Sequence, residues 1–256
     1  MSEIIKTDSS MTLDKNLREL TSARISLART GNSITTRDTL AFALDHAQAR
    51  DAVHATLSLP TLLRELQSRG LAAVAVKSAA PDRKSYLKRP DLGRRLSEAS
   101  AVTVRGTSGE TRLPRMTIIL ADGLSALAVD RHALAVVDAL LPLVRDQWEI
   151  TELVVAEQAR VALGDEIGVA LGAQLTLMLI GERPGLSAAD SLGAYITWDP
   201  RPGRTNAERN CISNIRSEGL SPSAAAERIA FFMQEAQNLQ ATGTALKDPS
   251  ELSLLT

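Results

Sequence analysis

Aromatic residues are scarce in this 256-residue chain, at 3% of the total: two Trp, two Tyr and three Phe. A core must therefore be built from Ala, Val, Leu and Ile, and a chain this long can bury enough of them without disulfide or metal staples. Cysteine occurs once, at Cys211. That excludes an intramolecular disulfide framework and suits a reducing compartment. Neither sign of charge dominates: 29 basic and 30 acidic side chains leave a formal −1. A general nucleic-acid binder would carry a strong basic excess, so nucleic acid is not an expected partner. Long apolar runs are missing as well. The longest reach about ten residues, short of the ~18 needed to cross a bilayer. The opening Met-Ser-Glu-Ile-Ile-Lys-Thr-Asp-Ser-Ser has neither the basic nor the apolar region of a secretory signal. The expectation is a soluble cytoplasmic protein, folded because 44% of its residues are hydrophobic.

Several chemical signatures are also lacking. There is no G-x-G-x-x-G after a strand, no G-x-x-x-x-G-K-[ST], no G-x-S-x-G and no H-E-x-x-H. The three histidines are His46, His54 and His132. His46 and His54 stand eight residues apart on one predicted helix, a spacing compatible with a shared face but a weak metal signal without further donors. A fold without these signatures can hold a ligand while leaving the chemistry to another chain.

The patterning is that of an α/β protein. The first 20 residues are polar, an arm or frayed end. Helices are predicted from Asp38 to about Thr56, with Thr35 or Thr36 as N-cap, and from Leu57 to Arg69, ended by Gly70. Short apolar runs rich in Val, Ile and Leu follow at Leu71–Val76, Met116–Leu120, Glu152–Ala156, Gln174–Ile180 and Ala194–Trp198. Continuous apolar runs suit strands buried on both faces. Helical stretches at Ser125–Leu143, Asp165–Leu171 and Ser221–Leu239 come between or after them. That order implies a Rossmann-like, mostly parallel sheet with flanking helices, preceded by a helical N-terminal segment. The expected division is 1–70 for the arm and helical segment and 71–256 for the Rossmann-like domain.

Ligands of open α/β sheets bind beyond the carboxyl ends of the strands, which directs attention to three places. Asp122-Gly123-Leu124-Ser125 follows one strand and reads equally as a turn with a helix cap. Glu182 and Arg183, in Gly181-Glu182-Arg183-Pro184-Gly185, set two charges at the carboxyl edge, either for a ligand or as a local ion pair. Cys211, in Cys211-Ile212-Ser213-Asn214-Ile215, has no histidine near it in sequence and reads as a small residue beside a ligand, not a nucleophile. Residues 81–115 carry nine basic against four acidic side chains, a local +5 that suits a phosphate, an acidic partner or a solvated face.

The chain resembles the small subunit of ethanolamine ammonia-lyase, an adenosylcobalamin-dependent enzyme. The resemblance rests on Tyr86-Leu87-Lys88-Arg89-Pro90-Asp91-Leu92-Gly93-Arg94-Arg95-Leu96, Asp122-Gly123-Leu124-Ser125, Gly164-Asp165-Glu166-Ile167-Gly168, Gly181-Glu182-Arg183-Pro184-Gly185-Leu186 and Cys211-Ile212-Ser213-Asn214-Ile215. It spans about residue 20 to residue 240. It implies a carbon–nitrogen lyase active only with a large TIM-barrel subunit, in a large hetero-oligomer that converts ethanolamine to acetaldehyde and ammonia by a radical route. This subunit would close over the cofactor, with Val161, Glu182 and Cys211 at the positions matching the family's cobalamin contacts. No cobalt-ligating histidine is expected. Asp130-Arg131-His132 begins a D-x-H-x-x-G pattern, but Ala135 stands where Gly is required. A cytoplasmic site is implied, and residence in a bacterial microcompartment stays open. From the residues alone, two other readings remain: a non-catalytic binding or scaffold module using the 81–115 stretch, and a stand-alone enzyme with a His46/His54 metal site.

Overall fold

The computed structural model describes residues 27, 29–104 and 113–246. Arg105, Glu110 and Arg112 of the basic stretch lie outside the described residues, as do the first 20. A small hairpin, β1 (Arg29–Thr30) with β2 (Ser33–Ile34), precedes helix α1 (Thr36–His54). Thr35 caps α1 by accepting from the Asp38 amide at 3.2 Å. This is the cap the sequence favours, because an orphan amide in the first turn needs an oxygen. Helix α2 (Leu59–Ser68) follows and buries Leu62 and Leu66.

The main sheet contains β3 (Ala73–Lys77), β4 (Arg115–Ala121), β5 (Glu149–Ile150), β6 (Leu153–Glu157), β7 (Leu175–Gly181), β8 (Leu192–Trp198) and β9 (Asn210–Ile215). Its order is β3-β6-β4-β7-β8-β9, with β5 paired to the start of β4. The strands β3, β6, β4 and β7 are parallel, and β8 and β9 each run antiparallel to the preceding strand. The mostly parallel α/β sheet expected from the sequence is therefore present.

Side chains alternate across the sheet. Ile118 and Leu120 join the core formed with Leu62, Leu66, Val137, Leu140 and Ile229, whereas Ile119 and Ala121 join Leu163, Ile167 and Leu171 on the opposite face. Both faces are dry, which is why these strands read as unbroken apolar runs.

Helices α3 (Arg83–Lys88) and α4 (Glu98–Thr103) link β3 to β4. After β4, a short α5 (Ala126–Ala128) passes through a π-helical turn (Val129–Ala133) into α6 (Leu134–Val144). A helical stretch over Ser125–Leu143 is expected from the sequence and is present, with the π turn inside it as the added feature. The π turn buries His132, whose Nε2 lies 3.3 Å from Asp190 Oδ2. Helix α7 (Leu163–Leu171) joins β6 to β7, and α8 (Pro222–Leu239) closes the fold. The chain leaves β4 on one face and its neighbour β6 on the other, because α6 and α7 sit on opposite sides of the sheet. Such a divergence opens a crevice at the carboxyl ends of the two strands. No helix among the described residues is long and apolar enough to cross a membrane.

Candidate functional site

The carboxyl ends of β4, β6 and β7 are level, since Ala121 pairs with both Ala156 and Ile180. A cleft of about 420 Å³ lies beyond them. Gly123 and Leu124 reach it from the loop after β4, Arg160 and Val161 from the loop after β6, and Glu182 and Arg183 from the loop after β7. Tyr86 of α3 and Tyr195 of β8 complete its walls.

The loops are held by main-chain contacts that only glycine allows. A Cβ on Gly123, where φ is +54°, would run into the Gly181 carbonyl, and one on Gly181 would run into the Ser125 carbonyl. Leu124 N–H donates to the Gly181 carbonyl at 2.9 Å. Asp122 does not line the cleft. Its buried carboxylate accepts from the amides of Gln158 (2.9 Å) and Ala159 (3.0 Å) and from Arg83 Nη1 (3.2 Å). Burial pushes its pKa up, while the two amides and Arg83 pull it down. Ser125 is the helix cap the sequence suggested, accepting from the Ala128 amide. Asp122 and Ser125 thus form the frame of the site, not its lining.

Glu182 is turned back onto the sheet. Its Oε2 accepts from Ser191 Oγ at 2.5 Å and from the Asn214 amide at 3.2 Å, and its Oε1 accepts from Ser213 Oγ at 2.5 Å. A carboxylate oxygen offers two lone-pair directions, so Oε1 keeps one acceptor position for a ligand. The Glu182–Arg183 ion pair considered from the sequence is not formed.

Val161 and Glu182 share the cleft. Cys211 is not in its lining. It sits exposed on β9, directly opposite Tyr195 in the β8–β9 register, so that Tyr195 stands between it and the cleft. Protein packed around its sulfur pushes the thiol pKa up, with the Tyr195 hydroxyl working the other way. Burial likewise raises the phenol pKa of Tyr195 and of Tyr86 well above the ordinary value. The start of β9 is fixed from below by a buried ion pair. Arg209 donates to both oxygens of Asp165 in α7, at 2.7 and 2.6 Å, and to Thr197 Oγ1.

Tyr86, Arg160 and Tyr195 were not singled out from the sequence. The tyrosines offered a signal, because the chain has only two and both line the cleft. The R-P-D-L-G-R-R-L segment is held at the cleft by Tyr86 and Arg160, both of which pack on Gly93. Tyr86 donates to the Ala159 carbonyl at 2.9 Å, and Gly93 accepts from the Arg160 amide at 2.8 Å. Within the basic stretch, Arg83 is spent inside the protein on Val53, Asp122 and Gly123. His46 and His54 are exposed on α1. Among the described residues no group of three metal donors forms.

Fold and cleft together define an open-sheet α/β protein with a crevice at the carboxyl ends of its strands. The family model for the ethanolamine ammonia-lyase light chain (EutC) matches residues 13–247. The chain is 52% identical over 241 residues to the ethanolamine ammonia-lyase small subunit of Bradyrhizobium diazoefficiens, covering 93% of this chain and 91% of that one. It is 50% identical over 243 residues to the small subunit of Azotobacter vinelandii, covering 94% and 90%. Over 241 residues it is 50% identical to that of Pseudomonas fluorescens, covering 93% and 88%. The chain belongs to the ethanolamine ammonia-lyase light-chain family, as its sequence motifs suggested.

Proposed function

We propose that this chain is the small subunit of an adenosylcobalamin-dependent ethanolamine ammonia-lyase, and that its cleft holds part of the cofactor against a large TIM-barrel subunit. The supporting observation is that Val161 and Glu182, implied by family resemblance, meet in one crevice at the divergence of β4 and β6. The residues fit the cofactor in kind. Val161 and Ile180 offer apolar surface to a ring edge, the open lone pair of Glu182 Oε1 suits an amide N–H, and Arg160 and Arg183 supply positive charge. They fit only a part of it. About 420 Å³ is at the low end for one drug-sized ligand, and a corrinoid with its nucleotide tail is far larger, so another surface must cover the remainder.

When bound, adenosylcobalamin supplies the radical chemistry that turns ethanolamine into acetaldehyde and ammonia. The work of this chain is to bind, orient and exclude water. Glu182 accepts from cofactor amide groups, Val161 packs against them, and Cys211 supports Tyr195 from the neighbouring strand. Substrate contacts belong to the large subunit, so activity requires both chains in a hetero-oligomer, located in the cytoplasm or a microcompartment.

Reconstitution tests this reading. Acetaldehyde release from ethanolamine is expected only with both subunits and adenosylcobalamin present. Activity of this chain alone, abolished by a chelator, would favour the His46/His54 reading. A stable complex whose activity ignores the cofactor would overturn the assignment.

A further inference from the structure

We propose that Arg160 grips the phosphodiester of the cofactor's nucleotide tail. The inference rests on the functional reading above and adds to it one residue and the chemical group that residue reads.

Five buried side-chain polar atoms among the described residues have no hydrogen-bond partner, and Arg160 Nε, in the loop after β6, is one of them. Buried polar groups are almost always paired, so an orphaned guanidinium N–H is an exception that asks for an acceptor. Arg160 also lines the cleft. It takes part in no ion pair among the described residues, unlike Arg83, which is bonded to Asp122. Its guanidinium carbon lies 4.3 Å from the centre of the Tyr86 ring. Its stem is confined as well, because a Cβ on Gly93 would come within 2.9 Å of Arg160 Cγ. The head group is thus preorganised.

Charge points the same way. Arg160 and Arg183 are the cations of the lining, and Glu182, its one carboxylate, already accepts three hydrogen bonds from Ser191, Ser213 and Asn214. The vacant electrostatic role is therefore that of an anion. The amide side chains of a corrinoid are neutral, and its phosphodiester carries the peripheral negative charge. A planar guanidinium suits two phosphate oxygens at once.

The test measures ligand affinity, not turnover, on the full chain assembled with its large subunit. Three probes are titrated by absorbance: cyanocobalamin, cobinamide (no nucleotide tail) and cobinamide phosphate (the phosphate without ribose and base). For Arg160→Met we expect binding of cyanocobalamin and cobinamide phosphate to weaken about 10- to 100-fold, with cobinamide unchanged within about two-fold. Arg160→Lys keeps the charge but not the planar fork, and is expected to lose part of the same increment. It carries the test if the Met variant does not assemble. Equal losses for all three probes would mean a packing role and overturn the proposal, as would no loss for any. Loss for cyanocobalamin but not for cobinamide phosphate would move the contact to the ribose or base and also overturn it. Failure of the unaltered complex to bind any probe would instead remove the functional reading beneath it.

Discussion

Glu182 Oε1 accepts a hydrogen bond from Ser213 Oγ at 2.5 Å across 31 positions of sequence. With Ser191 and the Asn214 amide on the other oxygen, this one carboxylate ties the end of β7 to the start of β8 and to β9. Glu182 thus orders the rim of the cleft besides offering an acceptor to a ligand. Replacing it with Ala leaves an amide and two hydroxyls without their acceptor, but Ser213 and Asn214 are exposed, so water takes over there. A loss of about 0.5–1.5 kcal/mol is expected in denaturant unfolding of the full chain, together with weaker cobalamin binding by the complex. Ser213→Ala should cost less. Unchanged stability of the Glu182→Ala variant would mean that water replaces the carboxylate without penalty.

The Arg209–Asp165 pair is stricter, because both side chains are 2% exposed and the contact is bidentate. Removing one partner leaves the other charge buried. Arg209→Met or Asp165→Leu alone should each destabilise by about 3–5 kcal/mol. The double variant should fall short of the sum, since no unpaired charge remains. Denaturant midpoints of the three variants check this.

Glu208 supplies a pH dependence of known sign. The Thr205 amide, Arg204 and the Thr205 hydroxyl bond to its carboxylate and lower its pKa from the ordinary 4.5 to about 2. A carboxyl whose pKa falls on folding stabilises fully above the unfolded value and loses that contribution as pH drops through the folded one. The stability gap between the native chain and Glu208→Gln should therefore be constant above about pH 5 and shrink between 4.5 and about 2. Melting curves across that range measure it. A gap that widens on acidification would contradict the assignment.

Cys211 should behave as a sluggish thiol. Its pKa is raised above the ordinary 9.0, mainly by the protein packed around the sulfur of this otherwise exposed residue, and the thiolate is the reactive form. Alkylation of the full chain by iodoacetamide should show a midpoint above that value. A midpoint near neutrality would indicate an activated nucleophile instead.

How legible this protein is from sequence depends on where each element is buried. The strands β4, β6 and β7 are dry on both faces, so their sequences are apolar throughout and visible. Strand β9 buries only Ile212 and Ile215 and leaves Cys211, Ser213 and Asn214 exposed, so its composition resembles a loop. Helices α3 and α4 have six residues each, too few to establish a period. Helix α1 was legible through Thr35 and Asp38, but its apolar positions Leu40 and Leu44 turned out exposed. In the site, Glu182 was visible because it follows an apolar strand, at the carboxyl edge where open sheets bind ligands, in a loop marked by glycine and proline. Arg160 and Tyr86 were not, because their meaning comes from stacking on each other across more than 70 positions.

Hydrogen–deuterium exchange of the assembled two-subunit complex, with and without adenosylcobalamin, tests the central claim most directly. Cofactor addition should slow exchange in this chain at residues 158–162 and 181–186, the loops beyond β6 and β7, and leave α8 unchanged. Protection confined to the large subunit, with those two loops exchanging as before, would contradict the account.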